Sequence, residues 1–296
     1  MPLAVAYSGG ADSTALLHAA AATWPGHVRA VHVHHGLQAA ADDFVRHCEA
    51  ACTALGVPLD VVRIDARHAP GESPEDTARQ GRYQALAQRA VDAGSRCVLL
   101  GHHADDQVET LLLALSRGAG LPGLAAMPAR FERHGMTFIR PLLLLSGVAL
   151  RGWLSSAQVP FVEDPTNADS AFTRNRIRRE LLPALEAAFP QFRETFARTA
   201  RHAAQAQQLL EEIAAADLAA MDGVPAIKRL QRFTHARQAN LLRVWLRTMH
   251  GVQASAAQLG ELQGQLDACT TRGHAIRIKV GPGLVERHGE QLRYLP

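Results

Sequence analysis

The sequence predicts an α/β protein built on a parallel sheet of about five strands flanked by helices, followed by a smaller α+β domain. Three observations predict it. Short apolar runs alternate with helix-length segments through the first hundred residues, the pattern of βαβ crossovers. A glycine-rich turn joins the first strand to the first helix, and after Pro190 the pattern changes to a long alanine-rich helix. Composition agrees with a folded chain: 47% of 296 residues are hydrophobic and 20% charged, enough to bury a core.

Residues 3–7 read as a short buried strand and 13–22 as a helix. Strands follow over 28–33, 59–64 and 96–100, separated by helices over 39–55 and 74–93. Ligands of such sheets bind at the carboxyl ends of the strands, near a switch in strand order. Three segments lie at such ends: residues 8–13, 32–37 and 101–106.

Ser8-Gly9-Gly10-Ala11-Asp12-Ser13 sits at the first strand-to-helix turn, where backbone N–H groups converge on an anion. It is not a Walker loop, which needs a lysine, because the only lysines are Lys228 and Lys279. Nor does a G-x-G-x-x-G fingerprint fit. Asp12 would repel a triphosphate unless Mg²⁺ bridged carboxylate and phosphate. The plainer alternative is a serine-glycine turn in which Asp12 and Ser13 cap the helix.

Asp105, Asp106 and Glu109 open another helix at i, i+3 and i+4 spacing, which gathers three carboxylates at its start. Acids favour a helix N-terminus through its dipole, so a structural role stays open. His32 and His35 bracket a strand end and suit adenine or ribose binding; simple packing is the alternative. Arg174, Arg176, Arg178 and Arg179 follow Thr173 at a helix start, where cations oppose the dipole unless anions meet them. RNA or ATP phosphates would be such anions.

The hexad matches in full the SGGxDS signature of the PP-loop, or N-type, ATP pyrophosphatases, and so the chain resembles that family. The resemblance implies an adenine-nucleotide α-hydrolase-like fold, ATP cleaved between its α and β phosphates, and AMP transferred to a substrate oxygen. Residues 102–110 resemble HHxDDxxET of one branch, the tRNA(Ile)-lysidine synthetases. Residues 117–124 resemble its glycine-rich stretch and Arg140-Pro141-Leu142-Leu143 its next strand. Glu163-Asp164-Pro165-Thr166-Asn167 with Thr173-Arg174-Asn175-Arg176-Ile177-Arg178 resembles its EDP[ST]N and RNxIR pair. His34 stands where many relatives have Asp or Asn.

The branch implies ATP-dependent addition of free L-lysine to C2 of the wobble cytidine of a minor isoleucine tRNA, through a base adenylated on O2. It implies Ser8, Gly9, Gly10, Ala11, Asp12 and Ser13 for ATP, with His32 and His35 beside them, and Asp12 and Asp106 for Mg²⁺. Asp12, Asp105, Asp106 and Glu109 are the catalytic candidates. Asp105 or Glu109 would bind the lysine ammonium or take its proton. Arg174, Arg176, Arg178 and Arg179 are the tRNA or phosphate contacts, with Glu163, Asp164 and Asn167 nearby.

The expected organisation is a catalytic domain over 1–190, a connecting helix over 191–223 and a tRNA-contacting α+β domain over 224–296, the family's short form without its last domain. Helices are expected over 230–249 and 254–266, with Leu241, Leu242, Trp245 and Leu246 as a core stripe, and strands from Ile276 onward. Net charge is only +3, yet Arg and Lys outnumber Asp and Glu by 13 to 7 between residues 170 and 250. Cys48, Cys52, Cys97 and Cys269 form no C-x-x-C or zinc spacing and suit packing in a reducing compartment. No apolar run reaches the ~18 residues of a membrane span, so the cytoplasm is expected; a homodimer is left open. Two other readings compete. Another PP-loop tRNA-modifying or amide-forming AMP transferase would keep the hexad, although thiolases commonly use paired cysteines. A non-catalytic nucleotide-binding module would leave the acidic helix start unexplained.

Overall fold

The computed structural model describes residues 2–34, 41–64, 74–163, 169, 171–271 and 273–296. Two compact units divide the chain, 1–202 and 203–296.

The first unit begins with β1 (Leu3–Ala6), α1 (Ala11–Thr23), β2 (Val28–His34), α2 (Ala41–Leu55), β3 (Leu59–Arg63), α3 (Pro74–Asp92) and β4 (Cys97–Leu99). It continues through α4 (Ala104–Ser116), α5 (Leu121–Leu124), β5 (Arg130–Arg133), β6 (Met136–Ile139) and α6 (Gly147–Ser156). The six strands run in the order β3-β2-β1-β4-β6-β5, all pairs parallel except β5 with β6. Strand order reverses between β1 and β4, so the loops that leave these two strands flank the switch point.

Both faces of the sheet are covered, which is why the central strands β1 and β4 are apolar without alternation. Val5 packs on one face with Leu16, Leu17, Cys48, Cys52 and Leu154. On the other face Ala4 packs with Val31, Tyr83, Leu86, Val98 and Phe138. Successive strand residues point to opposite faces, and the neighbours Ala4 and Val5 are both fully buried.

One strand differs from expectation. Residues 141–144 form a turn, and the strand is β6 before them, closed into a hairpin with β5 through His134 and Gly135 at positive φ. Pro141 has no N–H for a strand ladder, which ends the strand at Ile139. The edge strand β5 has little apolar signal, since Phe131 is its one hydrophobic residue.

Beyond α6 come α7 (Thr173–Arg176), a π-helical turn over Ile177–Leu181, α8 (Leu182–Ala188) and the long helix α9 (Phe192–Ala219). The second unit adds α10 (Ile227–Leu230), α11 (His235–His250), α12 (Ala256–Ala268) and an antiparallel sheet of β7 (Arg277–Val280), β8 (Gly283–His288) and β9 (Gln291–Leu295). The helix expected over 230–249 starts only at His235, because Thr234 caps α11 by accepting from the Arg237 N–H. Leu241, Leu242, Trp245 and Leu246 are buried against Leu259, Leu262, Val280 and Val285. Among the described residues, no helix is long and apolar enough to cross a membrane.

Candidate active site

The first loop is braced by its own serines. Ser8 N–H donates to Ser13 Oγ at 3.2 Å, and Ser13 Oγ donates to the Gly10 carbonyl at 3.0 Å. Gly9 holds φ at +85°, and a Cβ there would stand 3.1 Å from Cys48 Sγ. No side chain caps α1 at Gly10, so the first-turn N–H groups remain available to an anion.

Gly101 brings the second segment onto the first. A Cβ on Gly101 would lie 3.1 Å from both Asp12 C and Ser13 N, and 3.2 Å from Asp12 O, so glycine is what lets the backbones abut. Two residues later His103 caps α4. Its Nδ1 accepts from Asp105 N–H at 3.2 Å, while its own N–H donates to Asp106 Oδ2 at 2.9 Å. With Nδ1 accepting, Nε2 carries the proton. That nitrogen lies 3.5 Å from Asp12 Oδ2 and 3.6 Å from Asp106 Oδ2. Asp106 is thus a helix cap and a member of a charged cluster at once.

Three arginines reach these acids from far along the chain. Arg178 Nη2 donates to Asp106 Oδ1 at 3.0 Å and to Glu109 Oε2 at 3.1 Å, and Arg178 Nε donates to Glu109 Oε1. Arg174 Nη1 also donates to Glu109 Oε2, at 3.4 Å. Arg193 pairs with Asp105 and Glu186, while Gly147 N–H, at the start of α6, donates to Asp105 Oδ2 at 2.7 Å. Arg178 sits in the π-helical turn, a local widening that recurs at functional sites. Arg176 and Arg179 are exposed, and Arg176 donates to Thr173 Oγ1 at 3.2 Å.

Exposure separates the four acids. The Asp12 side chain is 36% exposed, those of Asp105 and Asp106 10% and 12%, and Glu109 is fully buried. Burial raises the Asp12 pKa, but the His103 hydrogen bond and charge, with Arg151 and Arg178, outweigh it and hold the carboxyl below its ordinary value. Burial likewise opposes the His103 charge, yet Asp12, Asp106 and Asp105 together raise its pKa. At Glu109 burial wins, helped by the Asp106 charge, and the pKa is raised in spite of Arg178 and Arg174.

His32 is buried in β2, its Nδ1 2.9 Å from the Tyr7 carbonyl, and burial lowers its pKa. Glu163 pairs with Arg151 at 3.2 Å. His35, Asp164 and Asn167 lie outside the described residues. Sequence reading assigned no role to Gly101, His103, Gly147 or Arg193; for His103 the signal was its place one residue before the acidic helix start.

Two carboxylates fit a magnesium ion, which takes one or two of them and completes its shell with water and phosphate oxygens. Asp12 Oδ2 and Asp106 Oδ2 lie 3.5 and 3.6 Å from the same His103 Nε2, so these two carboxylates are placed where they could share such an ion. Among the described residues no group of three His, Cys, Asp or Glu forms an all-protein metal cage.

A PP-loop domain model matches residues 1–185, and a TilS substrate-binding domain model matches residues 226–293. The tRNA(Ile)-lysidine synthase of Polaromonas naphthalenivorans is 63% identical over 294 residues, covering 99% of this chain and 89% of that one. The chain belongs to the tRNA(Ile)-lysidine synthase family. A second member of that family, from Burkholderia pseudomallei, is 44% identical over 284 residues; the match covers 94% of this chain and 58% of that protein. Among solved structures, a U34-tRNA thiolase from Methanococcus maripaludis is similar with a TM-score of 0.58 at 15% identity, covering 68% of this chain and 72% of that one. That likeness concerns the fold alone.

Proposed function

We propose that the chain ligates lysine to C2 of the wobble cytidine of a minor isoleucine tRNA, using ATP and releasing AMP and pyrophosphate. One juxtaposition supports this most: Gly101 against Asp12 and Ser13, with His103 between Asp12 and Asp106, makes one site of the phosphate loop and the acidic helix start. In the first step the cytosine O2 attacks the α-phosphorus and pyrophosphate leaves. In the second the lysine ε-amine attacks C2, and AMP leaves with the former O2.

Each residue has a place in this scheme. First-turn N–H groups of α1 and the Ser8–Ser13 loop hold the pyrophosphate portion of ATP. Asp12 and Asp106 would hold Mg²⁺, which offsets phosphate charge when bound. The Arg178, Asp106 and Glu109 cluster presents both signs of charge, as an amino-acid zwitterion requires. Glu109 or Asp105 meets a lysine ammonium, and each already accepts from an arginine, so the ammonium must share or displace that donor. Arg176 and Arg179 contact RNA phosphates, and residues 224–296 contact the body of the tRNA. A cytoplasmic setting supplies tRNA, ATP and free lysine together.

The test is AMP formation from ATP labelled in its α-phosphate. Asp12→Asn and Asp106→Asn should each slow it by about 100-fold or more, the scale at which preorganised charge acts on a transition state. An unaltered rate in both variants would show that the carboxylates are structural.

A further inference from the structure

Arg140 follows β6 directly and is 4% exposed, a burial that arginine tolerates only when its donors are matched. Its Nη1 donates to the Pro128 carbonyl at 2.7 Å, its Nη2 to the Tyr83 hydroxyl at 3.3 Å and its Nε to His102 Nδ1 at 3.4 Å. The guanidinium lies 4.3 Å from the centroid of the Phe131 ring, and Tyr83 meets Phe131 and Phe138 edge-on, so an aromatic base carries the whole group.

A guanidinium has donors and no acceptor, so the imidazole nitrogen that faces its N–H must offer a lone pair. A neutral imidazole with its lone pair on Nδ1 carries its proton on Nε2. We propose that Arg140 is a positioning residue that fixes His102 as the neutral Nε2–H tautomer, and that His102 donates this hydrogen to an anionic oxygen of a substrate bound at the carboxyl end of β4.

His102 lies between Gly101, which abuts the phosphate loop, and His103, which caps α4, so its backbone leaves β4 at the switch point. The residue is partly exposed. Burial pushes the His102 pKa down to about 4, with the charges of Arg140, Arg82 and Arg79 adding to it and Asp106 opposing. The ring is therefore neutral at pH 7. A neutral donor can bind a phosphate or carboxylate oxygen while leaving the charge balance to Asp12, Asp106 and Arg178. The role of the donated hydrogen rests on the proposed ligation; the tautomer does not.

The test uses the full chain labelled with ¹⁵N-histidine, without ligands, and long-range ¹H–¹⁵N correlation spectra, with His102 assigned by its loss in His102→Gln. The expected wild-type signal is one Nε2–H tautomer at pH 7. Arg140→Met should give mixed tautomers and a kcat lower by about 10–100-fold, the usual cost of losing an outer partner of a functional histidine. Arg140→Lys, which keeps a donor, should recover part of both. A wild-type Nδ1–H tautomer or imidazolium would overturn the proposal, and so would a tautomer unchanged in Arg140→Met. If Arg140→Met does not fold, the wild-type spectrum still decides. Since the spectrum needs no substrate, it stands apart from whether lysine is ligated.

Discussion

Replacing Gly101 by alanine tests whether contact between the two segments makes the site. The new Cβ would meet Asp12 C and Ser13 N at 3.1 Å and Asp12 O at 3.2 Å, all backbone atoms that cannot rotate away. The loop must therefore retreat by a few tenths of an ångström. Overpacking of this kind costs about 1–3 kcal/mol, which lowers the unfolding midpoint by roughly 3–10 °C for a unit of this size. A 1 Å misplacement costs about 10²-fold in rate, so a shift of a few tenths should lower kcat roughly three- to tenfold. The assays are thermal unfolding and AMP formation at saturating ATP and lysine. Gly152→Ala in α6 is the control, because nothing lies within 4 Å of its Cβ; there, better helix propensity should add about 0.8–1 kcal/mol. A Gly101→Ala protein with wild-type midpoint and kcat would refute the reasoning.

Glu109→Gln should raise the lysine KM about tenfold or more, since a charged hydrogen bond contributes about 1.5–3 kcal/mol, and leave the ATP KM within about twofold; paired steady-state titrations of the two substrates check this. Arg193→Ala leaves Asp105 with the Gly147 N–H and the neighbouring His103 ring and should cost about 2–3 kcal/mol of stability, below the usual ~3–5 for a broken buried pair because these partners survive. Denaturant unfolding would measure it, and Arg193→Lys should recover part of the loss. Burial pushes the Cys48 thiol up to about 12 and Cys52 up to about 11. At pH 8 the native protein should then react with iodoacetamide at Cys48 about 10³ times more slowly than unfolded chain does. The stability these neutral thiols contribute is full below the ordinary thiol value of 9.0 and lost as pH rises toward 11–12. Unfolding midpoints between pH 8 and 11 should fall, and fall less in Cys48→Ala.

The parallel core was legible because βαβ units carry their signal locally: short apolar runs such as residues 3–7, and glycine where the backbone must turn. The hexad and residues 101–109 were legible as two motifs for the same reason. Their contact was not, since Gly101 serves a neighbour about 90 positions earlier in the chain. Nor could the sequence pair Arg178 with Glu109 or Arg193 with Asp105, 69 and 88 residues apart. Arg174 and Arg178 read as cations awaiting phosphate, whereas the structure meets both with carboxylates. The strand expected at Arg140–Leu143 failed on Pro141, and its replacement β6 brought Arg140 to His102. Positions 35, 164 and 167 stay with the sequence reading alone.

Lysine transfer tests the account most directly. The chain would be incubated with ATP, Mg²⁺, radiolabelled lysine and total tRNA, and the tRNA digested to nucleosides. The account predicts label in a single modified cytidine from one isoleucine tRNA, dependent on ATP and absent with a transcript whose wobble cytidine is replaced by uridine. No lysine in any tRNA under conditions where ATP is split to AMP, or label that persists without the wobble cytidine, would contradict it.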